Sequence, residues 1–76
     1  MIEETVTMYM IVDGIASDGS GIHEGPPLVF TTREEAEHLK RADQHVLVRD
    51  GCRKSMAISM EKMSRAVLGL PPVAKA

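Results

Sequence analysis

Seventy-six residues with a net charge of −2 describe one small domain, and 43% hydrophobic content supplies only a thin core. One Phe, one Tyr and no Trp leave that core short of large rings, while six Met fill volume with flexible side chains. Cys52 is the single cysteine, which excludes an internal disulfide, so a second subunit is the expected supplement and a homodimer is predicted.

Residues 1–12 carry Glu3 and Glu4 and no positive charge, unlike a secretion signal. No apolar run approaches the roughly 18 residues that cross a bilayer. With one thiol and no such signals, the expected setting is the cytoplasm, without membrane association. Charge is unevenly divided: residues 1–50 hold ten acidic against four basic side chains, and residues 51–76 hold one against five. This pattern predicts an acidic body with a basic C-terminal helix.

Residues 5–12 (TVTMYMIV) alternate as a strand, with Val6, Met8, Met10 and Val12 on one face and Thr5, Thr7, Tyr9 and Ile11 on the other. Asp13 and Gly14 close it. Residues 13–26, with four of the six glycines, read as a long loop ending in Pro26 and Pro27. Residues 28–31 then form a short strand, placed at a sheet edge because the preceding prolines cannot donate ladder hydrogen bonds. Thr32 with Glu35 three residues on is a capping box that opens a helix to about Asp43. Its inward residues are Ala36, Leu39 and Ala42, and Glu37 with Arg41 is the expected outer ion pair.

Residues 45–49 form a third strand, closed by Asp50 and Gly51. A second helix follows from about Cys52 or Ser55 to Leu68, stopped by Gly69 and by Pro71 and Pro72. The predicted fold is therefore α+β: a small β-β-α-β-α domain over residues 1–72. Its three-stranded, mainly antiparallel sheet has order 2-1-3, with two helices, and residues 73–76 form a disordered tail. Truncating Leu39 or Phe30 to Ala is expected to cost several kcal/mol, as large core deletions do.

Catalytic, cofactor and metal signatures fail one by one. Gly14, four residues and then Gly19 and Ser20 approximate a P-loop, but Ser20 stands where the phosphate-binding lysine belongs. Asp13, Asp18, His23 and Glu24 lack the EF-hand order. Cys52, His23, His38 and His45 lack the short paired spacing of a zinc site. Cys52 sits beside Arg53 and Lys54, which favours a thiolate, yet no base is assigned to it by spacing. The expectation is a protein that is not an enzyme and has no catalytic, cofactor or metal residues.

The last helix is the informative element. Met56, Met60, Met63, Val67 and Leu70 recur at intervals of 4, 3, 4 and 3. The rule for amphipathic helices reads this stripe as core against the sheet. The competing reading is a Met-rich contact surface. Lys54, Ile58, Lys62 and Arg65 would form a partly basic outer face.

Two functions follow. The favoured one is a protein-interaction module that binds another protein through Tyr9, the acidic Glu34, Glu35, Glu37 and Asp43, and Met56, Met60 and Met63. The chain's length, acidity and cysteine usage resemble those of small phage or mobile-element proteins, some of which inhibit host complexes as anti-CRISPR proteins do. That resemblance implies an inhibitor. The alternative is a dimeric nucleic-acid-binding regulator using the basic helix, disfavoured because a pI of 5.8 has the wrong sign.

Overall fold

The computed structural model describes residues 3–23, 25 and 27–72, so the expected tail at residues 73–76 lies outside the described residues. The elements are β1 (Thr5–Val12), β2 (Gly14–Ile15), β3 (Gly21–Ile22), β4 (Leu28–Phe30), α1 (Arg33–Leu39), β5 (His45–Arg53) and α2 (Lys54–Leu68). Three strands form an antiparallel sheet in the order β4-β1-β5, and β2 and β3 form a separate hairpin. The α+β fold and the sheet order are those expected from the sequence.

β1 is central because both of its faces are apolar enough to be covered. On one face Met8 and Val29 pack against Ala57 of α2, joined by Val6, Met10, Cys52 and Met60. On the other, Ile11 and Phe30 pack against Ala36 of α1, joined by Tyr9, Leu28, Leu39, Val46 and Leu70. The register follows: Met10 opposes Val29 and Leu47, while Ile11 opposes Leu28 and Val46.

Asp50 and Gly51 do not end β5. They oppose the single residue Thr7, between the Val6–Cys52 and Met8–Arg49 pairs. Gly51 adopts φ +73°, and the Thr7 hydroxyl donates to Asp50 Oδ1 at 2.5 Å. An Asp-Gly pair meets the conformational demand of a bulge as well as that of a turn, so the strand continues past the expected stop.

The expected long loop instead folds as a hairpin. Ala16 donates to Ser20 O at 2.7 Å, and Gly19 (φ +88°) donates to Ala16 O at 2.9 Å. The Ser20 hydroxyl and N–H both donate to Asp18, holding its carboxyl below the usual carboxylate range. Gly21 lies directly on Val12, where an added Cβ would sit 2.4 Å from Val12 Cγ1. Val12 is fully buried and has nowhere to move. Gly21→Ala is therefore expected to cost about 1–3 kcal/mol and to loosen the hairpin. Urea titration, with amide exchange at Asp13 and Ala16, reads both effects, and a wild-type midpoint would show that the hairpin is not seated on Val12.

α1 stops at Leu39, short of the expected Asp43. Thr32 caps it by accepting the Glu35 N–H at 3.4 Å, and Lys40 donates the closing bond to Ala36 O. The Arg41 N–H, which a longer helix would direct to Glu37, goes to Gln44 Oε1 at 2.9 Å. Ala42 is consequently exposed, and the expected Glu37–Arg41 pair is replaced by Arg33–Glu37 at 3.5 Å.

α2 ends where expected. Gly69 takes the left-handed conformation at φ +71° and donates to Ala66 O, while Leu70 donates to Arg65 O at 2.8 Å. This Schellman arrangement turns Leu70 back into the Phe30 cluster, off the helical stripe to which its spacing assigned it. α2 also covers the outer edge of β4: Ser64 Oγ accepts the Val29 N–H at 2.8 Å. Among the described residues, no helix is long and apolar enough to cross a membrane.

Candidate functional site

The face of α2 that meets the sheet is made of small and polar residues. Ala57, Glu61 and Ser64 are its buried positions. Ala57 lets the helix approach Met8 and Val29, and Ser64 serves the β4 edge. With the helix docked through these residues, the methionine stripe is rotated away. Met60 still packs on the core, but Met56 is 51% exposed, Met63 59% and Val67 56%. The expectation that the stripe is ordinary core therefore fails for three of its five members.

Met56 and Met60 instead form one wall of an open groove of about 400 Å³. Its floor is Met8 and Met10 of β1, and its far wall is Arg49, Gly51, Cys52 and Arg53 of β5. α2 lies over β4 and leaves this part of the sheet uncovered. Four methionines thus line one concavity, a lining that repacks around varied apolar shapes. Arg49 and Arg53 are exposed beside it and form no ion pair among the described residues. Cys52 Sγ lies 3.6 Å from Arg49 O and 3.9 Å from Asp50 O, as a thiol donating weakly to backbone.

On the exposed side of α2 a surface of small and apolar side chains continues, with the Ser55 hydroxyl at its start donating to Glu3 Oε1 at 2.8 Å. Ser55, Met56, Ser59, Met63, Ala66 and Val67 are all exposed, and none carries a charge. A helix flank without Lys, Arg, Glu or Asp is unusual on a solvated surface and is of the kind that contacts protein.

The remaining expected contact residues are scattered. Tyr9 packs against the α1-side core, with the Arg33 guanidinium 5.7 Å from its ring centroid. Glu35 is drawn to Arg65, Glu37 pairs with Arg33, and Asp43 pairs with Arg41 at 3.3 Å. Glu34 is the member of the acidic set with no ion pair among the described residues. Neutralised in this way, the acidic residues present a weaker field than their number implies.

Arg65, expected on a basic outer face, is turned inward. Its Nε and Nη2 donate to Glu61 Oε2 at 3.2 and 3.1 Å, and Nη2 also donates to Glu35 Oε1. Nη1 reaches Pro71 O at 3.3 Å, and the guanidinium lies 5.8 Å from the centroid of the Phe30 ring. The Thr31 hydroxyl donates to Glu61 Oε1 at 2.8 Å, completing the network. Burial opposes the charge on Arg65, but the bonds it donates to Glu35 and Glu61, with their negative charges, outweigh it and raise its pKa. The outer face of α2 keeps Lys54 and Lys62, and Lys54 is paired with Glu4 at 3.3 Å.

A second concavity, of about 510 Å³, lies between Ile11, Leu28, Val67 and Leu68 on one side and Asp13, His23, Arg41, Asp43 and Gln44 on the other. Much of its polar wall is bonded to itself: Arg41 contacts Asp13 and Asp43, and Gln44 donates to Asp13 at 3.0 Å. Among the described residues no three His, Cys, Asp or Glu side chains converge as metal ligands do.

Sequence reasoning singled out Met56 and Met60 but missed Met8, Met10, Arg49 and Arg53. The available signal was the Val6, Met8 and Met10 face of β1, broader than one helix with a small-residue contact face can cover. No family model matches the chain, and no curated protein or solved structure does so either.

Proposed function

We propose that this protein is a non-catalytic interaction module that binds another protein through the methionine groove and the adjoining uncharged flank of α2. The observation that carries this reading is the exposure of Met56, Met63 and Val67 beside a groove floored by Met8 and Met10. The fitting ligand is an amphipathic segment whose apolar side enters the groove and whose acidic residues meet Arg49 and Arg53. Methionine walls adapt to the segment, and the arginines orient it. Inhibition of a larger complex in the cytoplasm, as in the small phage and mobile-element proteins that the chain resembles, is the proposed consequence of such capture.

The nucleic-acid alternative loses Arg65, whose guanidinium is committed to Glu35 and Glu61. The test is retention of partners from host lysate on immobilised wild type and on the M56E/M63E double variant, with and without nuclease. Both positions are exposed, so the variant keeps its fold. Nuclease-resistant retention that falls at least tenfold in the variant is expected. Equal retention by both proteins would rule out this surface, and retention that disappears with nuclease would transfer the function to nucleic acid.

A further inference from the structure

The two edges of the sheet are treated differently. At β4 the outward N–H of Val29 is taken by Ser64, and α2 covers the strand. At the other edge β5 pairs with β1 on one side, and among the described residues no backbone group of another element bonds to its outer side. Edge strands that stay single are commonly short, or defended by Pro, Lys or a bulge. β5 spans nine residues, and its bulge at Asp50 and Gly51 protects only the distal half. Residues 45–49 run in unbroken register against Met8 to Val12 and contain neither Pro nor Lys. Val48 is 41% exposed there, on the face that carries Val46.

We propose that this edge pairs with the same edge of a second copy, β5 against β5 in antiparallel sense about a two-fold axis at Leu47. The two sheets then become one of six strands. A two-fold contact must be self-complementary, and the Val46-Leu47-Val48 sequence is symmetric about its centre. In this register Val46 of each copy opposes Val48 of the other, and Leu47 opposes Leu47. The Val46–Val48 pairs are β-branched and apolar, and pairs of this kind pack well across antiparallel strands. His45 falls opposite Arg49, so the pairing sets no two permanent charges of like sign against each other. The net charge of −2 adds little repulsion between copies.

An axis normal to the sheet leaves both methionine grooves on the same side of the dimer. The pairing leaves the Met56 and Met63 flank open but shares Arg49 with the groove, since Arg49 falls opposite His45 of the second copy. An edge contact of this kind buries less than the ~1,600 Å² of a standard interface, so a weak, concentration-dependent dimer is expected.

Sedimentation equilibrium of the intact chain from about 10 to 500 µM tests the pairing. The expected mass rises from 8.3 kDa toward twice that value, and amide exchange in residues 45–49 slows with concentration. Val48→Lys is expected to weaken association at least tenfold without altering the melt of the monomer. A mass that stays at 8.3 kDa to the top of the range overturns the proposal. So does a dimer whose residues 45–49 exchange at a rate independent of concentration, or one that Met63→Glu dissolves and Val48→Lys leaves intact. The exchange measurement uses the wild-type chain, so it decides the matter even if a variant misfolds.

Discussion

Phe30→Ala is expected to leave the protein largely unfolded near physiological temperature. Phe30 is fully buried and is the single phenylalanine of the chain. Its ring joins β4 to Ile11 of β1 and Ala36 of α1, with Arg65 against it. Truncation of such a side chain costs about 3–5 kcal/mol in a core that cannot collapse around the void. A domain of this length holds roughly 4–11 kcal/mol in total, so the loss takes much of what is available. At ~4–8 °C per kcal/mol, the melting midpoint falls by at least about 12 °C. Leu39→Ala, which the sequence ranked beside it, is expected to cost less because Leu39 is only half-buried. A thermal melt followed by circular dichroism reads both variants. Equal losses would mean that the core is centred on α1 instead of on β4.

The second large effect is at Arg65. Its side chain is 11% exposed, and that of Glu61 only 5%. Arg65→Ala strands the Glu61 carboxylate beside Glu35 with no cation, an arrangement that costs about 3–5 kcal/mol. Arg65→Lys is expected to recover only part of this, because one ammonium cannot serve Glu61, Glu35 and the Pro71 carbonyl together. The R65M/E61L double variant removes both buried charges and is expected to be closer to wild type than Arg65→Ala. Urea titration of the three proteins gives the order. A double variant less stable than Arg65→Ala would show that the ion pair itself, beyond mutual neutralisation, holds α2 to α1. The interaction is largely shielded from solvent, so raising the salt from 0.1 to 1 M, where the Debye length falls from about 10 to 3 Å, should change the Arg65→Ala penalty little.

These two residues differ in how far the sequence announced them. Phe30 stood out because it is the one large ring in an apolar run. Arg65 was assigned to a basic outer face from helical spacing, whereas its Glu61 partner, four residues earlier, pointed as readily to an ion pair. Helical period places residues on a common face, but it does not state which face is buried.

The order of the three sheet strands and two helices, the sheet order, the start of α1 and the Gly69 stop were determined by the sequence itself. They depend on local chemistry: alternation in β1, the Thr32 cap, and the positive φ that glycine supplies. The same local chemistry was ambiguous at Asp50 and Gly51, where a bulge and a turn ask for the same residues, and only pairing with Thr7 decides between them. The rotation of α2 belongs to tertiary structure altogether. Small Ala57 and Ser64 let the helix sit close to β4 and satisfy its edge, and Glu61 follows them inward because Arg65 and Thr31 compensate its charge. That docking turns Met56, Met63 and Val67 to the outside, since a helix has one face to bury and here close approach with hydrogen bonding prevailed over hydrophobic stripe.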